Sequence, residues 1–426
     1  MKQKNKFSIA DLRLIADYLA ATRNEITLDR HQVINAGLDP DKTVKIPRPA
    51  KWINKVGKVN LTTRIAYQAI YFIWNLIGPA FFFLEEKRYK SSKPAPYYID
   101  NAGGQTLALS QRCSDIVRKD NIWKYPHQWL ELPWLRIKIK DSDLDILKAT
   151  DLIHSIDYKR IIKLCLYSHH ILNSREEFKG CGLQSYTAWK WFFTRLAIDK
   201  LPGPFLMVHH FDRWAVLVDR SVRAARIRNT RRTLTLMQHG SVNAETKEQS
   251  LNINLPTRLC AVSELYVYSE KNKEIFTKEV LTASSKITNT NYYQPKIFLT
   301  QMHSKPVPTV LFVGHPFCED SQVLIVHQLS KKHDAIFYYK PHPAAANSNK
   351  INKAPWVVIK DKTVYPKVDF IVSYPSTLID EYANHDIPAI IHPMRVAADQ
   401  ISELEKSISL TLSSTATSKP NTHNQP

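Results

Sequence analysis

The hydrophobic pattern changes period twice between residues 205 and 239, and this change constrains the fold more than any other feature. Phe205-Leu206-Met207-Val208 is a short continuous apolar run, which indicates a buried strand. Apolar side chains at helical spacing follow over 212–228, and 233–237 is again a strand pattern. Strand, helix and strand at this length form a βαβ unit, whose strands are parallel. The sequence therefore predicts an α/β fold.

The C-terminal half repeats this alternation. Strand patterns occur at 259–262, 266–268, 309–313, 335–339, 356–359, 370–373 and 389–391. Helical patterns lie between them at 270–280, 321–332 and 378–384, and a further helix is expected within 394–410. Because 426 residues exceed the size of one small core, we expect two Rossmann-like domains that face each other across a cleft.

Changes in the pattern predict the boundaries of these domains. Residues 1–94 form a basic, helical N-terminal segment, with Ser8 as the N-cap of its first helix. Residues 95–257 form the first α/β domain, and 258–412 form the second. Residues 413–426 are rich in Ser, Thr, Asn and Pro without apolar periodicity, and we expect this tail to be disordered.

The N-terminal segment contains an uncharged apolar stretch, from Ile65 to Leu84, that is long enough to cross a bilayer as a helix. Three interpretations stay open. The stretch is a buried or surface helix broken at Gly78-Pro79, an in-plane membrane helix, or a true span. Basic residues precede it, and they favour an anionic membrane surface as a partner.

The charge balance narrows the possible partners. Lys and Arg number 59 against 39 Asp and Glu, a formal net charge of +20, which indicates an anionic partner. No helix-turn-helix, zinc-finger or RNA-recognition signature is present, so we expect no nucleic acid. The phosphate loop of ATPases and the GxGxxG fingerprint are also missing. The five scattered cysteines and an N-terminus without a signal-peptide pattern favour a reducing, cytoplasmic location.

Four polar clusters directly follow predicted strands. They are Gln238-His239-Gly240, Gly314-His315-Pro316, Lys340-Pro341-His342-Pro343 and Tyr374-Pro375-Ser376-Thr377. Ligands of open α/β sheets bind outside the carboxyl ends of the strands, so this shared placement predicts a binding site.

The clusters of the second domain have the chemistry of an anion site. Ser376 and Thr377 precede a helix, where they either cap it or donate hydroxyls to a phosphate. Lys340 and His342 lie in a loop stiffened by prolines, and a rigidly held His can donate to a leaving phosphate. Glu381, one turn further, either accepts a ribose hydroxyl or complements the helix dipole.

The first domain offers two candidates for a general base. His239, before the small Gly240, can take a proton from a hydroxyl at physiological pH. Asp212 is the rival base, unless it only caps the helix that follows. A dense run of arginines follows Asp212. It forms either a solvated helix face and loop, or a site that binds an anionic acceptor or a lipid head group. Its members are Arg220, Arg223, Arg226, Arg228, Arg231 and Arg232.

The order of these motifs, from 205 to 393, resembles bacterial surface-polysaccharide transferases of the GT-B fold, the capsule and teichoic-acid type that use CDP-glycerol, CMP-Kdo or CMP-sialic acid. The resemblance implies a cytidine nucleotide in the second domain and no metal or other cofactor. It implies that His239 is the His of the catalytic region, that His342 contacts the donor phosphate, and that Ser376 and Thr377 are its hydroxyl pair. His315 joins this donor set. The acidic-acidic-Gly motif of polysialyltransferases is absent, so their base is not carried over.

We therefore expect a glycosyltransferase of surface-polysaccharide biosynthesis, in capsule or lipopolysaccharide. It would transfer a sugar or polyol phosphate from a nucleotide donor to a glycan or glycolipid hydroxyl, at the inner face of the cytoplasmic membrane. A non-catalytic nucleotide- or glycan-binding assembly protein on the same fold is the alternative.

Overall fold

A computed structural model of the chain contains two parallel β-sheets, each flanked by helices. The structure describes residues 7–56, 58–89, 104–107, 127–131, 145–201, 203–227, 232–240, 251, 253–294, 296–304, 306–342 and 349–418. Within these ranges the α/β prediction is confirmed.

The first sheet has seven parallel strands in the order β3-β2-β1-β4-β5-β6-β7. They are β1 Gly104–Leu107, β2 His127–Glu131, β3 Asp145–Lys148, β4 Phe205–Met207, β5 Leu234–Met237, β6 Glu264–Val267 and β7 Asn289–Tyr292. The strand order reverses between β1 and β4. This reversal is a topological switch point, where open α/β sheets bind their ligands.

The boundary predicted at residue 257 is wrong. β6 and β7 extend the first sheet to Tyr292, so the first domain continues some 35 residues further than expected. Hydrophobic periodicity identifies a strand but does not say which sheet it joins, because that depends on edge pairing. The predicted strand at 259–262 contributes only an isolated bridge between Leu259 and Leu281.

Helices of the first domain are α1 Ile9–Asn35, α2 Ile53–Val56, α3 Leu61–Tyr89, α4 Ser155–Ser174, α5 Ala188–Asp199, α6 Arg213–Ile227 and α7 Glu270–Ile275. Ser8 is the N-cap of α1, and it forms a capping box with Asp11. The βαβ unit consists of β4, α6 and β5, in agreement with the prediction. A π-turn, Phe276–Val280, continues α7 over the rest of the predicted helix.

α1 belongs to the first domain and is not part of a separate N-terminal segment. Its Leu14 and Tyr18 are buried in the same hydrophobic core as Trp191 and Phe205. The Asn24 amide donates to the carbonyl oxygens of Phe211 (2.9 Å) and Thr257 (2.8 Å). The helix therefore supports the loop that follows β4.

α3 runs without a break through Gly78 and Pro79, so the interpretation of a helix broken at this point is wrong. Asn75 is fully buried and bonds with the carbonyl of Ser185 (2.9 Å) and the backbone N–H of Trp189 (3.2 Å). A Cβ on Gly78 would lie 2.8 Å from the Trp189 ring, so glycine permits this close packing. Among the described helices, none is long and apolar enough to cross a membrane.

The second sheet has five parallel strands in the order β11-β10-β9-β13-β14. They are β9 Thr309–Val313, β10 Ile336–Lys340, β11 Val357–Val358, β13 Phe370–Ser373 and β14 Ala389–Ile391. The strand order reverses between β9 and β13, a second switch point. A short parallel pair, β8 Leu299–Thr300 with β12 Tyr365–Pro366, lies outside this sheet.

Helices α8 Glu319–Lys332, α9 Thr377–Ala383 and α10 Ala398–Ser418 complete the second domain. Ile408 and Leu412 of α10 are buried in the core formed by β9 and α8. The tail predicted as disordered from residue 413 is therefore helical to Ser418, because α10 continues its turns beyond these anchors. Residues 419–426 lie outside the described part of the chain.

Candidate functional site

The carboxyl end of β4 carries a histidine pair at the switch point of the first sheet. His209 Nδ1 and Asp212 Oδ2 are 2.8 Å apart. Asp212 Oδ1 also accepts hydrogen bonds from the backbone N–H groups of Trp214 (2.9 Å) and Ala215 (3.0 Å), and so caps α6. One carboxylate therefore begins the helix and orients the His209 ring.

The ionisation of Asp212 suits this orienting role. Burial by itself raises the pKa of Asp212, but the charge and hydrogen bond of His209 outweigh it and hold the pKa below its ordinary value. A carboxylate only accepts, so Nδ1 of His209 carries a proton, and in the neutral form of the ring the lone pair is on Nε2. His209 Nε2 is buried and has no hydrogen-bond partner among the described residues.

His210 and His239 lie beside this pair. The backbone N–H of His239 donates to His210 Nε2 at 3.1 Å, and their ring centroids are 4.5 Å apart. Burial, together with the neighbouring His239 and His209, holds the pKa of His210 well below its ordinary value. A neutral His210 thus links the end of β4 to the end of β5, and the His209 and His239 rings are 6.2 Å apart.

Gln238 holds the end of β5 against β6. Its side chain is fully buried, donates to the carbonyl of Gly240 (3.0 Å) and accepts from the N–H of Tyr268 (3.0 Å). The hydroxyl of Tyr293 donates to the Gln238 carbonyl. This network fixes the direction in which the chain leaves the sheet at His239.

In the second sheet, His315 lies at the centre of an aromatic group contributed by three adjacent strands. Its ring centroid is 5.1 Å from those of His342, after β10, and Tyr374, after β13. Burial and the neighbouring His342 lower the pKa of His315 to about 3. His315 Nδ1 accepts from the backbone N–H of Phe317 (3.3 Å), so the proton of the neutral ring is on Nε2. Gly314 precedes it because the Tyr339 ring occupies the position of a side chain.

Ser376 and Thr377 begin α9 beside this group. Ser376 occupies the N-cap position, but its hydroxyl makes no capping hydrogen bond and lies 3.0 Å from the hydroxyl of Ser373. Glu381 is 3% exposed and lies one turn further along the helix. The capping interpretation of Ser376 is therefore wrong, and its hydroxyl belongs to a polar pair at the end of β13.

Lys340 does not face this group. Its ammonium donates to the carbonyl oxygens of Asp361 (3.3 Å), Lys362 (3.2 Å) and Val364 (2.7 Å). It also lies 4.3 Å from the centroid of the Tyr365 ring. Because an ammonium has three donors, the predicted role of Lys340 in phosphate binding is wrong, and the residue instead fixes a turn. Pro343 lies outside the described residues.

The residues that follow β5 of the first sheet and β13 of the second sheet meet at Gly240. A Cβ on Gly240 would lie 3.4 Å from Thr377 Oγ1, so the end of β5 approaches the start of α9. The carboxyl edges of the two sheets therefore face each other. This contact places His239, the chain neighbour of Gly240, close to the start of α9.

The sequence analysis missed His209 and His210. Both follow the predicted strand at 205–208, in the same position relative to β4 as the other clusters have to their strands. An Asp three residues after His209 was a further signal.

No family model matches the chain, and no curated protein matches it. Its structure is similar to an α,α-trehalose-phosphate synthase (UDP-forming) from Burkholderia vietnamiensis, with 10% identity, a TM-score of 0.41, and coverage of 75% of this chain and 92% of that one. MurG from Acinetobacter baumannii matches with 12% identity, a TM-score of 0.35, and coverage of 76% and 96%. UDP-N-acetylglucosamine 2-epimerase from Rickettsia bellii matches with 11% identity, a TM-score of 0.35, and coverage of 72% and 87%. The likeness concerns the fold alone, and the α/β class follows from the two parallel sheets of this chain.

Proposed function

We propose that this protein is a GT-B-type glycosyltransferase that takes a sugar or polyol phosphate from a nucleotide donor. The observation that carries this proposal is the approach of Gly240, after β5 of the first sheet, to Thr377, after β13 at the switch point of the second sheet. One edge supplies imidazoles and a carboxylate, and the other supplies His342 and two hydroxyls. A hydroxyl acceptor needs a base on one side, and a leaving nucleotide needs charge stabilisation on the other.

In the proposed reaction, His209 removes the proton of the acceptor hydroxyl through Nε2. The acceptor oxygen forms its new bond to the transferred group while the bond to the nucleotide phosphate breaks. Asp212 keeps the His209 ring in the required tautomer and stabilises the imidazolium. His342, Ser376 and Thr377 donate to the leaving phosphate, and Glu381 accepts from the ribose. His239 is the second candidate base, because its ring lies on the same edge.

Nucleotide binding is the first test of this function. The motif resemblance favours a cytidine donor, so we expect CMP or CDP to raise the melting temperature more than UMP or UDP, because a ligand that binds only the folded state stabilises it. His342→Ala should weaken this nucleotide binding by 10-fold or more, since one hydrogen bond to a charged group contributes about 1.5–3 kcal/mol. His327→Ala, an exposed histidine on α8, is the matched control.

A melting temperature that no nucleotide changes would contradict the donor site. A shift by uridine nucleotides alone would keep the transferase proposal and reject the cytidine donor. Binding without turnover of any surface-polysaccharide donor would favour the non-catalytic assembly protein.

The catalytic assignment has its own test. We expect His209→Gln to lower the transfer rate by about 10²–10⁴-fold, the usual contribution of a general base, with nucleotide affinity unchanged. Asp212→Asn should also lower the rate, while α6 keeps its cap, because Asn caps as well as Asp. Full activity of His209→Gln together with inactivity of His239→Gln would move the base to His239.

The exposed face of α3 supports the proposed location at a membrane surface. Its residues follow helical spacing on the side opposite Asn75 and Gly78, and each is more than half exposed: Ile70, Ile73, Ile77, Phe81 and Leu84. Exposed basic side chains, Lys51, Lys55 and Lys58, precede the helix. An apolar stripe next to a basic cluster is the pattern of a helix that lies in the interface of an anionic membrane.

Vesicle flotation tests this location. The substitutions Ile73→Ser and Ile77→Ser should abolish binding to phosphatidylglycerol vesicles without lowering stability, because both side chains are exposed. The pair Leu324→Ser and Leu410→Ser removes two exposed leucines elsewhere and serves as the control. Equal flotation of the two double variants would reject the α3 face as the contact surface.

A further inference from the structure

A cavity of about 230 Å³ lies at the opposite edge of the first sheet from the candidate site. α6 begins beside the carboxyl end of β4 and runs back, so its later turns lie near the amino ends of the strands. The cavity is formed by these turns and by the segments that lead into β6 and β7. Its polar lining is Arg220, Arg223, Arg226, Arg258, Thr282 and Ser284.

The described acidic groups near the cavity do not balance its four guanidinium groups. Asp17 lies 4.0 Å from Arg220 Nε, but it also pairs with Arg195 at 2.8 Å. Asp219 accepts hydrogen bonds from two backbone N–H groups, at 2.8 and 2.7 Å, and burial raises the pKa of this carboxyl group. Two carboxylates against four guanidinium groups leave an excess of positive charge.

Two of the four arginines are anchored by a hydrogen bond to a backbone carbonyl oxygen. Arg226 Nε donates to the carbonyl of Arg232 (2.9 Å), and Arg258 Nη1 donates to the carbonyl of Lys278 (2.8 Å). Each guanidinium carries five N–H donors, so these bonds use a small part of them. Arg220 Nε is buried and makes no hydrogen bond within the described residues. A buried polar group of this kind indicates a ligand atom or a water at that position.

The size and chemistry of the cavity limit its ligand. Ligand pockets for drug-sized molecules span about 300–1,000 Å³, so this cavity accepts a smaller group. Guanidinium forks match the oxygens of phosphate in pairs, and the hydrogen-bonded hydroxyl pair of Thr282 and Ser284, 2.8 Å apart, keeps one proton to donate. We propose that this cavity binds a phosphate or diphosphate group, carried either by a soluble compound or by a lipid head group, at a site separate from the nucleotide.

Titration calorimetry with pyrophosphate tests the site. The double variant Arg223→Gln and Arg258→Gln changes two exposed side chains, so we expect it to fold normally. We expect its affinity for pyrophosphate to fall 10-fold or more. The control, Lys331→Gln with Lys406→Gln, removes the same charge from exposed positions of α8 and α10 and should bind as the native protein does.

The same variant separates this proposal from the proposed function. Affinity for the donor nucleotide should not change in Arg223→Gln/Arg258→Gln, whereas His342→Ala should lose nucleotide and keep the cavity's affinity for pyrophosphate. Pyrophosphate affinity equal in the native protein and the arginine variant would overturn the site.

Vesicles distinguish the two sources of the phosphate. Binding to phosphatidic acid vesicles that weakens in the arginine variant, with the α3 face intact, would identify a lipid head group. A soluble phosphorylated ligand would give a different result. The native protein and the variant would then bind vesicles equally, while their affinities for pyrophosphate would still differ.

Discussion

Histidine residues at this site differ in function because their immediate neighbours differ. Asp212 holds His209, while His210 is buried and accepts the N–H of His239. His315 has a pKa lowered to about 3. His392 is 3% exposed and lies 3.1 Å from the Gln322 amide nitrogen, so it supports the sheet rather than the ligand. The histidines therefore differ in role: His209 is the candidate base, His210 and His315 are buried neutral rings, and His392 is a core contact.

The low pKa of His315 predicts a loss of stability in mild acid. The unfolded chain binds a proton at this residue below about pH 6.5, and the folded protein does not bind it until about pH 3. The free energy of unfolding is therefore unaffected by this residue above pH 6.5. It decreases as the pH falls from 6.5 towards 3, because only the unfolded chain binds the proton. At pH 5 the loss is about 2 kcal/mol.

Urea unfolding of the native protein and of His315→Asn at pH 7.5 and pH 5 measures this contribution. Asn keeps an acceptor for the N–H of Phe317 and does not titrate. We expect the native protein to lose about 2 kcal/mol more than the variant over this range. An equal loss in the two proteins would show that His315 is not protected from protonation. His327→Asn, which changes an exposed histidine, should behave as the native protein.

At the scale of elements, residues at the ends of the strands either lie at the candidate site or hold a neighbouring turn in place. Ser376, Thr377 and His342 are partly exposed at the carboxyl edge of the second sheet. Lys340, two residues before His342, instead donates to three carbonyl oxygens of the turn at 361–364. Strand alternation would place residues 340 and 342 on the same face, so the two side chains separate because β10 ends at Lys340. Neighbours in a motif thus do not share a function.

This division predicts that Lys340→Met lowers stability without changing nucleotide affinity. Loss of the ammonium leaves three carbonyl oxygens without their donor, and we expect the free energy of unfolding to fall by about 2 kcal/mol. Chemical denaturation and nucleotide titration measure the two effects. Lys360→Met, an exposed neighbour, should change stability by less than about 0.5 kcal/mol. A 10-fold weaker affinity in a stable Lys340→Met protein would restore its role as a phosphate ligand.

At the scale of the whole molecule, the proposed function depends on how the two sheets meet. The Gly240 and Thr377 contact joins one domain that supplies the proposed base to another that supplies the proposed donor site. Reacting groups contributed by separate domains must be aligned within about 1 Å, since such an error costs about 10²-fold in rate. A small residue at position 240 permits this approach.

Enlarging Gly240 should therefore reduce transfer more than binding. A Cβ fits at 3.4 Å from Thr377 Oγ1, so we expect Gly240→Ala to retain most activity. Gly240→Val adds two methyl groups at the contact, and its transfer rate should fall about 10-fold or more while nucleotide affinity and melting temperature stay near the native values. Steady-state kinetics and nucleotide titration on both variants make the comparison. Native activity in Gly240→Val would show that the junction tolerates separation.

The strands and helices of the βαβ unit, and those of the second sheet with helices α8 and α9, follow from the sequence within one or two residues, whereas the short strand β12 was not predicted. Their signal is local, because buried parallel strands are short apolar runs and the helices between them have a period of 3.6. The four polar clusters were also found at the carboxyl ends of strands. Chain order and periodicity alone therefore determined the α/β class and the edge of the sheet at which the candidate site lies.

Contacts between residues distant in the chain decided the rest. α1 joined the first core, β6 and β7 joined the first sheet, and α3 continued through Pro79 against Trp189. Tertiary contacts also decided where the side chains of the site point. Lys340 donates to carbonyl oxygens 21 to 24 residues further along the chain, and the Ser376 hydroxyl bonds with that of Ser373. A sequence pattern records burial, whereas pairing and direction depend on which surfaces meet when the chain is folded.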